Sequence, residues 1–206
     1  EAVGKWTAAH AAAVTGAIVA AVGAAYDDGL AAVAAVTIDP PAELTDDLYA
    51  EALRVAEDAQ AEQEREAKAQ GVSLTGQPSL DLVALTGFAG AMAALLVRGW
   101  ASSASRRAVQ LMQGGASKAE VTAGVEDHLG TLTDAQPRDA FGAVMSYGQG
   151  QGRSSVLAVA PPGTYTASEV MDAATCAACA DIDGTEFASR AEADAAYASG
   201  GYSECQ

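Results

Sequence analysis

Bulk is what this sequence has little of. Aromatic residues fill 5% of its 206 positions, and 51 of its residues are alanine, so about half of the 50% hydrophobic fraction is methyl-sized. That composition excludes sandwiches and barrels, whose sheets need β-branched and aromatic faces, and favours closely packed helices. Cations are equally scarce: 11 Lys and Arg stand against 27 Asp and Glu, for a net charge of −16. Bulk electrostatic capture of nucleic acid or anionic lipid is thereby excluded, and only local contact remains open. Cysteine is limited to Cys176, Cys179 and Cys205. An odd number confined to the last fifth gives no disulfide framework, which argues against secretion and fits a reducing cytoplasm. Greasy runs are missing too. Trp6 to Tyr26 carries no formal charge and is long enough for a bilayer, but it is mostly Ala, Gly and Thr and holds His10, so a membrane span is not expected.

The pattern that is present is mainly helical. The first stretch spaces the small residues Ala12, Gly16, Ala20 and Gly23 by three or four, a face that lets another helix approach closely. A short apolar piece, Leu30 to Ile38, stops at Asp39-Pro40-Pro41. A long polar helix follows, with Thr45 as its expected cap, a narrow stripe through Leu48, Ala52, Val55 and Ala59, and Gly71 as its stop. The next helix is expected from Leu80 to about Met112, burying Leu82, Leu85, Ala89, Met92, Leu96 and Trp100. Ser117 and Glu120 form a capping box for a helix ending at Leu129. Thr133 opens another, carrying Phe141, Val144, Met145 and Tyr147 up to the glycines at 148–152. There the period changes: Val156, Leu157 and Val159, a Pro161-Pro162-Gly163 turn and Tyr165 to Ser168 read as a small hairpin. A short alanine-rich helix from Ser189 closes the pattern. We therefore expect a mainly α protein with a C-terminal α+β domain: a helical assembly region over residues 1–115, then helices, a small β-hairpin and a cysteine-bearing tail over 116–206. Starting at Glu1 and ending one residue after Cys205, the sequence is expected to be cut from a longer product.

Few residues carry obvious chemistry. Cys176-Ala-Ala-Cys179 has the spacing of a zinc knuckle, with Cys205 as a third thiol; structural zinc, ordinary thiols and redox chemistry all fit that pair. Asp181-Ile-Asp183-Gly184-Thr185 imitates a phosphatase nucleophile and a calcium loop, but the context suits neither: no apolar strand precedes it, and Ala188 and Arg190 stand where calcium ligands would be needed. Nothing in the spacing brings His10 or His128 to Ser102, Ser103 or Ser105, so no triad is expected and these serines are placed at the surface. Residues 77–118 form a basic island of four cations and one carboxylate. Its Arg98, Arg106, Arg107 and Lys118 are candidates for a nucleic-acid contact or for pairing with the acidic helix around Asp46 to Glu66.

One stretch resembles a known family. Val170 to Phe187, with Asp172, Thr175, Cys176, Cys179, Asp183 and Gly184, followed by Tyr202-Ser-Glu-Cys205, resembles the C-terminal domain of phage-Mu-F-like minor head (head morphogenesis) proteins of tailed bacteriophages. The resemblance covers about residues 133–206. It implies a structural virion protein at the portal vertex, made in the host cytoplasm. Its partners would be the portal protein, other head proteins or copies of itself, with weak contact to packaged DNA. The same resemblance carries one alternative, a capsid maturation protease or a protein fused to one, and the Arg98 to Arg107 patch carries another, a DNA-contacting or DNA-escorting virion protein.

Overall fold

The structure is a computed structural model describing residues 8–132, 135–161, 163, 165–167 and 176–196. The expected class is observed, a mainly α chain with one small antiparallel sheet. The helices are α1 (Ala8–Ala25), α2 (Leu30–Ala34), α3 (Ala42–Ala69), α4 (Leu82–Gln113), α5 (Lys118–Gly130), α6 (Ala135–Leu157), α7 (Ala177–Ile182) and α8 (Arg190–Ala196). Strands β1 (Tyr165–Thr166) and β2 (Glu186–Phe187) pair antiparallel, Tyr165 opposite Phe187 and Thr166 opposite Glu186. Two compact units emerge, one from residues 1–51 and 86–144, the other from 52–85 and 145–206.

In the first unit α1 lies along α5. Val14, Ile18 and Val22 repeat every fourth residue and are fully buried, as are Val121 and Val125 of α5. Gly23 permits the approach, since a Cβ there would meet Thr122 Cγ2 at 3.3 Å. Polar contacts fix both ends: His10 Nε2 lies 3.0 Å from Asp47 Oδ2, and the Tyr26 hydroxyl donates to the Ala116 carbonyl at 2.7 Å. From α4, Ala93, Leu96, Val97, Trp100, Ala101, Ala104 and Ala108 join this core, and Phe141 and Val144 enter it from α6. The alternation of alanine with one bulky residue per turn is how thin helices still reach high packing density.

Among the described residues the second unit buries little bulk. Its buried side chains include Ala52, Ala56, Leu85, Val156 and Ala167. Here α6 meets α3 backbone to backbone. A Cβ at Gly148 would fall under 3.0 Å from the Ala52 carbonyl oxygen, and one at Gly152 would crowd the Ala56 carbonyl oxygen, Ala59 Cβ and the Gln60 nitrogen. Around this contact the Ser155 hydroxyl donates to the Gly152 carbonyl at 2.7 Å, and the Thr75 N–H donates to the Val159 carbonyl at 2.7 Å.

Several expectations need correction. The glycines at 148–152 do not end a helix, because α6 runs through them to Leu157 and uses two of them for close approach. Val156 and Leu157 are therefore helical, and β1 pairs with β2 beyond α7 instead of forming a hairpin with residues 156–159. Thr45 sits inside α3, which starts three residues earlier at Ala42 behind Pro40 and Pro41. Leu82 is 50% exposed at the start of α4, so the buried stripe begins at Leu85. Residues 8–28 and 82–113 are both long and apolar enough to cross a membrane by length and composition, the first in spite of its many small residues. Each nevertheless buries a stripe against protein, His10, Val14, Ile18 and Val22 in the case of α1.

Two glycine substitutions in α6 should act in opposite directions. Gly152→Ala inserts a methyl against the α3 backbone and should destabilise by about 1–3 kcal/mol, the usual cost of overpacking. Gly142→Ala meets nothing within 4 Å and should stabilise by up to about 1 kcal/mol through helix propensity. Denaturant melts of both variants check this, and equal effects at the two positions would contradict it.

Candidate functional site

The cysteine segment folds as a small closed unit. Cys176 caps α7 from an extended conformation, and the Cys179 N–H donates to Cys176 Sγ at 3.4 Å. Both sulfurs thus belong to one helical turn, and both residues are half-buried. After α7, Asp183 and Gly184 turn the chain. Gly184 has φ of 75°, a left-handed value that glycine adopts at no steric cost. Its N–H donates to the Ala167 carbonyl at 3.0 Å while the Ala167 N–H donates to the Thr185 carbonyl at 2.8 Å, continuing the β1–β2 pairing across the turn. Ser189 caps α8, whose Arg190 pairs with Asp194 at 3.2 Å and donates to the Ser154 carbonyl at 3.3 Å. Cys176, Cys179, Asp183 and Gly184 are therefore brought together, whereas Asp172, Thr175 and Cys205 lie outside the described residues. The two sulfurs suit half of a tetrahedral zinc site. Among the described residues no group of three metal-ligating side chains completes it.

The small-residue positions divide. Gly23 packs on α5, but Gly16 and Ala20 face outward, and a Cβ at Gly16 would touch nothing within 4 Å. With Ala9, Ala12, Ala13 and Ala24 they make an exposed, uncharged face along α1.

The basic residues divide as well. Lys118 ion-pairs with Asp27 at 2.7 Å rather than with the acidic helix α3. Arg98, Arg106 and Arg107 are exposed and form no ion pair among the described residues. Arg106 and Arg107 line an open groove of about 500 Å³ between α4 and α5, with Ser103, Gln110, Gly124, Asp127, His128 and Thr131. Contrary to what the spacing predicts, Ser103 Oγ and His128 Nε2 meet here in a 2.9 Å hydrogen bond. The serine and histidine are 25 positions apart and meet only because α5 folds back along α4. Gly124 eases that approach, since a Cβ there would stand 2.6 Å from Leu111 Cδ1. Ser102 is exposed as expected, but Ser105 is 4% exposed and its hydroxyl has no partner among the described residues.

The capping box at the start of α5 forms as the Ser117 and Glu120 spacing predicts. Ser117 N–H and Oγ both lie 2.7 Å from Glu120 Oε2, and the Glu120 N–H points back to Ser117 Oγ at 3.4 Å. These hydrogen bonds, the side-chain one first, hold the Glu120 carboxyl below its ordinary value of 4.5. A folded value below the unfolded one means that this stabilisation is complete above about pH 4.5 and is lost as pH falls through the folded value. Glu120→Gln should therefore flatten the acid limb of the stability curve, measured by thermal melts from neutral to acid pH; an unchanged limb would contradict the assignment.

No family model, curated protein or solved structure matches the chain.

Proposed function

We propose that this chain is a structural minor head protein of a tailed bacteriophage, acting by contact at the portal vertex. The observation that carries the reading is the unit that residues 176–187 form with Tyr165, Thr166 and Ala167. The residues that resemble the Mu-F-like proteins and are described, Cys176, Cys179, Asp183 and Gly184, all serve its backbone: a helix cap, a helical turn and a left-handed reversal. A motif that builds a local fold suits a protein that works by shape. Zinc would suit Cys176 and Cys179, with Cys205 as a third sulfur, and would tie the tail to this unit. The uncharged outward face of α1 supplies an assembly surface for the portal protein, for other head proteins or for copies of the same chain.

The protease alternative gains a serine and histidine pair but little else. Ser103 lies well inside α4, where the neighbouring N–H groups are committed to the helical ladder. A backbone oxyanion hole of the kind that stabilises acyl-transfer intermediates is therefore not available beside its hydroxyl.

Quantitative mass spectrometry of purified particles tests the reading. The chain should be present in mature heads in copies comparable to the portal ring, and Gly16→Leu should reduce its incorporation without lowering its own melting temperature, since a helix former replaces an exposed helical glycine. Loss of the chain from mature particles, or normal incorporation of the Gly16→Leu variant, would count against this assignment.

A further inference from the structure

We infer that the groove between α4 and α5 is a seat for the phosphodiester backbone of nucleic acid. The inference stands on the groove itself and does not depend on the head-protein reading. Its starting point is an imbalance. Among the described residues of a chain of net charge −16, Arg54 pairs with Asp58, Arg65 with Glu62, Lys118 with Asp27 and Arg190 with Asp194, whereas Lys68, Arg98, Arg138 and Arg153 show no ion pair. What sets Arg106 and Arg107 apart is that two cations share one groove. Arg106 and Arg107 are adjacent, exposed and without an ion pair among the described residues, in a groove where Asp127 is the single carboxylate. Arg106 Nη1 donates to Ser102 Oγ at 3.0 Å, which steadies the guanidinium and leaves its other donors available.

The remaining lining is polar. Gln110 lies one turn after the arginines on α4, Thr131 lines the opposite wall, and the Ser103–His128 pair closes one side. The Thr131 hydroxyl donates to the His128 carbonyl and Ser103 is bonded to His128, so the donors left facing the groove are the guanidinium forks and the Gln110 amide, which match the several acceptor oxygens of a phosphate better than a single planar carboxylate. The groove is open, so it would leave most of a small molecule in water, whereas a polymer can run through it and continue beyond. The acidic remainder of the chain then limits the footprint to about two phosphates. By counterion release, two phosphates give a slope of about −2 for log affinity against log salt, far shallower than that of a dedicated DNA-binding domain.

Fluorescence anisotropy with a labelled DNA duplex and the full chain tests this. Duplex should bind weakly with that shallow slope, inorganic phosphate should compete, and Arg106→Gln/Arg107→Gln should weaken binding about tenfold or more, since two phosphate contacts are lost. Lys118→Gln, on a residue outside the groove, should bind as the parent does. The two arginines are exposed, so the double variant should keep its helical circular dichroism and melting temperature; Gln110→Ala provides a second, milder variant with the same expected direction. Binding that is equal in parent and groove variants would overturn the inference. So would an absence of duplex binding, or capture of a polyglutamate peptide in preference to duplex, which would make the groove a protein-docking site.

Discussion

The contact on which the second unit depends is the one between the α6 backbone at Gly148 and Gly152 and the α3 backbone at Ala52 and Ala56. A chain a quarter of whose residues are alanine cannot fill wide gaps between helices, so it must bring the helices closer. Glycine at the crossing does this. Once the axes are close, the methyl groups of Ala52, Ala56 and Ala59 come within dispersion range of their neighbours, and the missing bulk ceases to matter. The first unit solves the same problem differently, with Gly23 at the α1–α5 contact and with Ile18, Leu48, Trp100 and Phe141 inserted among alanines.

This division explains which features were legible in the sequence. Helices announced themselves through alanine content and period, and local punctuation was reliable where it acts through neighbours: the Ser117–Glu120 box, Gly71 after α3, Ser189 before α8. Most of the failures are long-range, although Thr45 was a local one, since α3 starts at Ala42 behind two prolines. Gly148 and Gly152 look like helix breakers until a partner backbone is placed beside them, because the conformational cost of glycine is visible in sequence and the benefit of close approach is not. Tyr165 and Thr166 pair with residues about twenty positions later rather than with the preceding apolar run, which α6 had already absorbed. Leu82 fits the stripe by spacing but lies at the exposed end of its helix.

The candidate sites follow the same rule. Cys176, Cys179, Asp183 and Gly184 were readable together because they lie within nine positions of one another, and the structure gives each a backbone task. The α4–α5 groove was readable only in part: Arg106 and Arg107 stood out by charge, but Ser103, Gln110, His128 and Thr131 gather there through tertiary folding. Lys118, which sequence grouped with the arginines, belongs instead to the α1–α5 end contact through Asp27. Arg106 and Arg107 instead share one groove, where α5 brings His128 and Thr131 beside them.

Native-state hydrogen exchange most directly tests whether close helix contact, rather than side-chain bulk, holds the second unit. Amides of residues 52–60 and 148–156 should be the slowest to exchange in that unit, opening only with its global unfolding. Exchange there as fast as in the connecting segment 72–80 would contradict this picture and would mean that the glycine crossing does not hold α3 and α6 together.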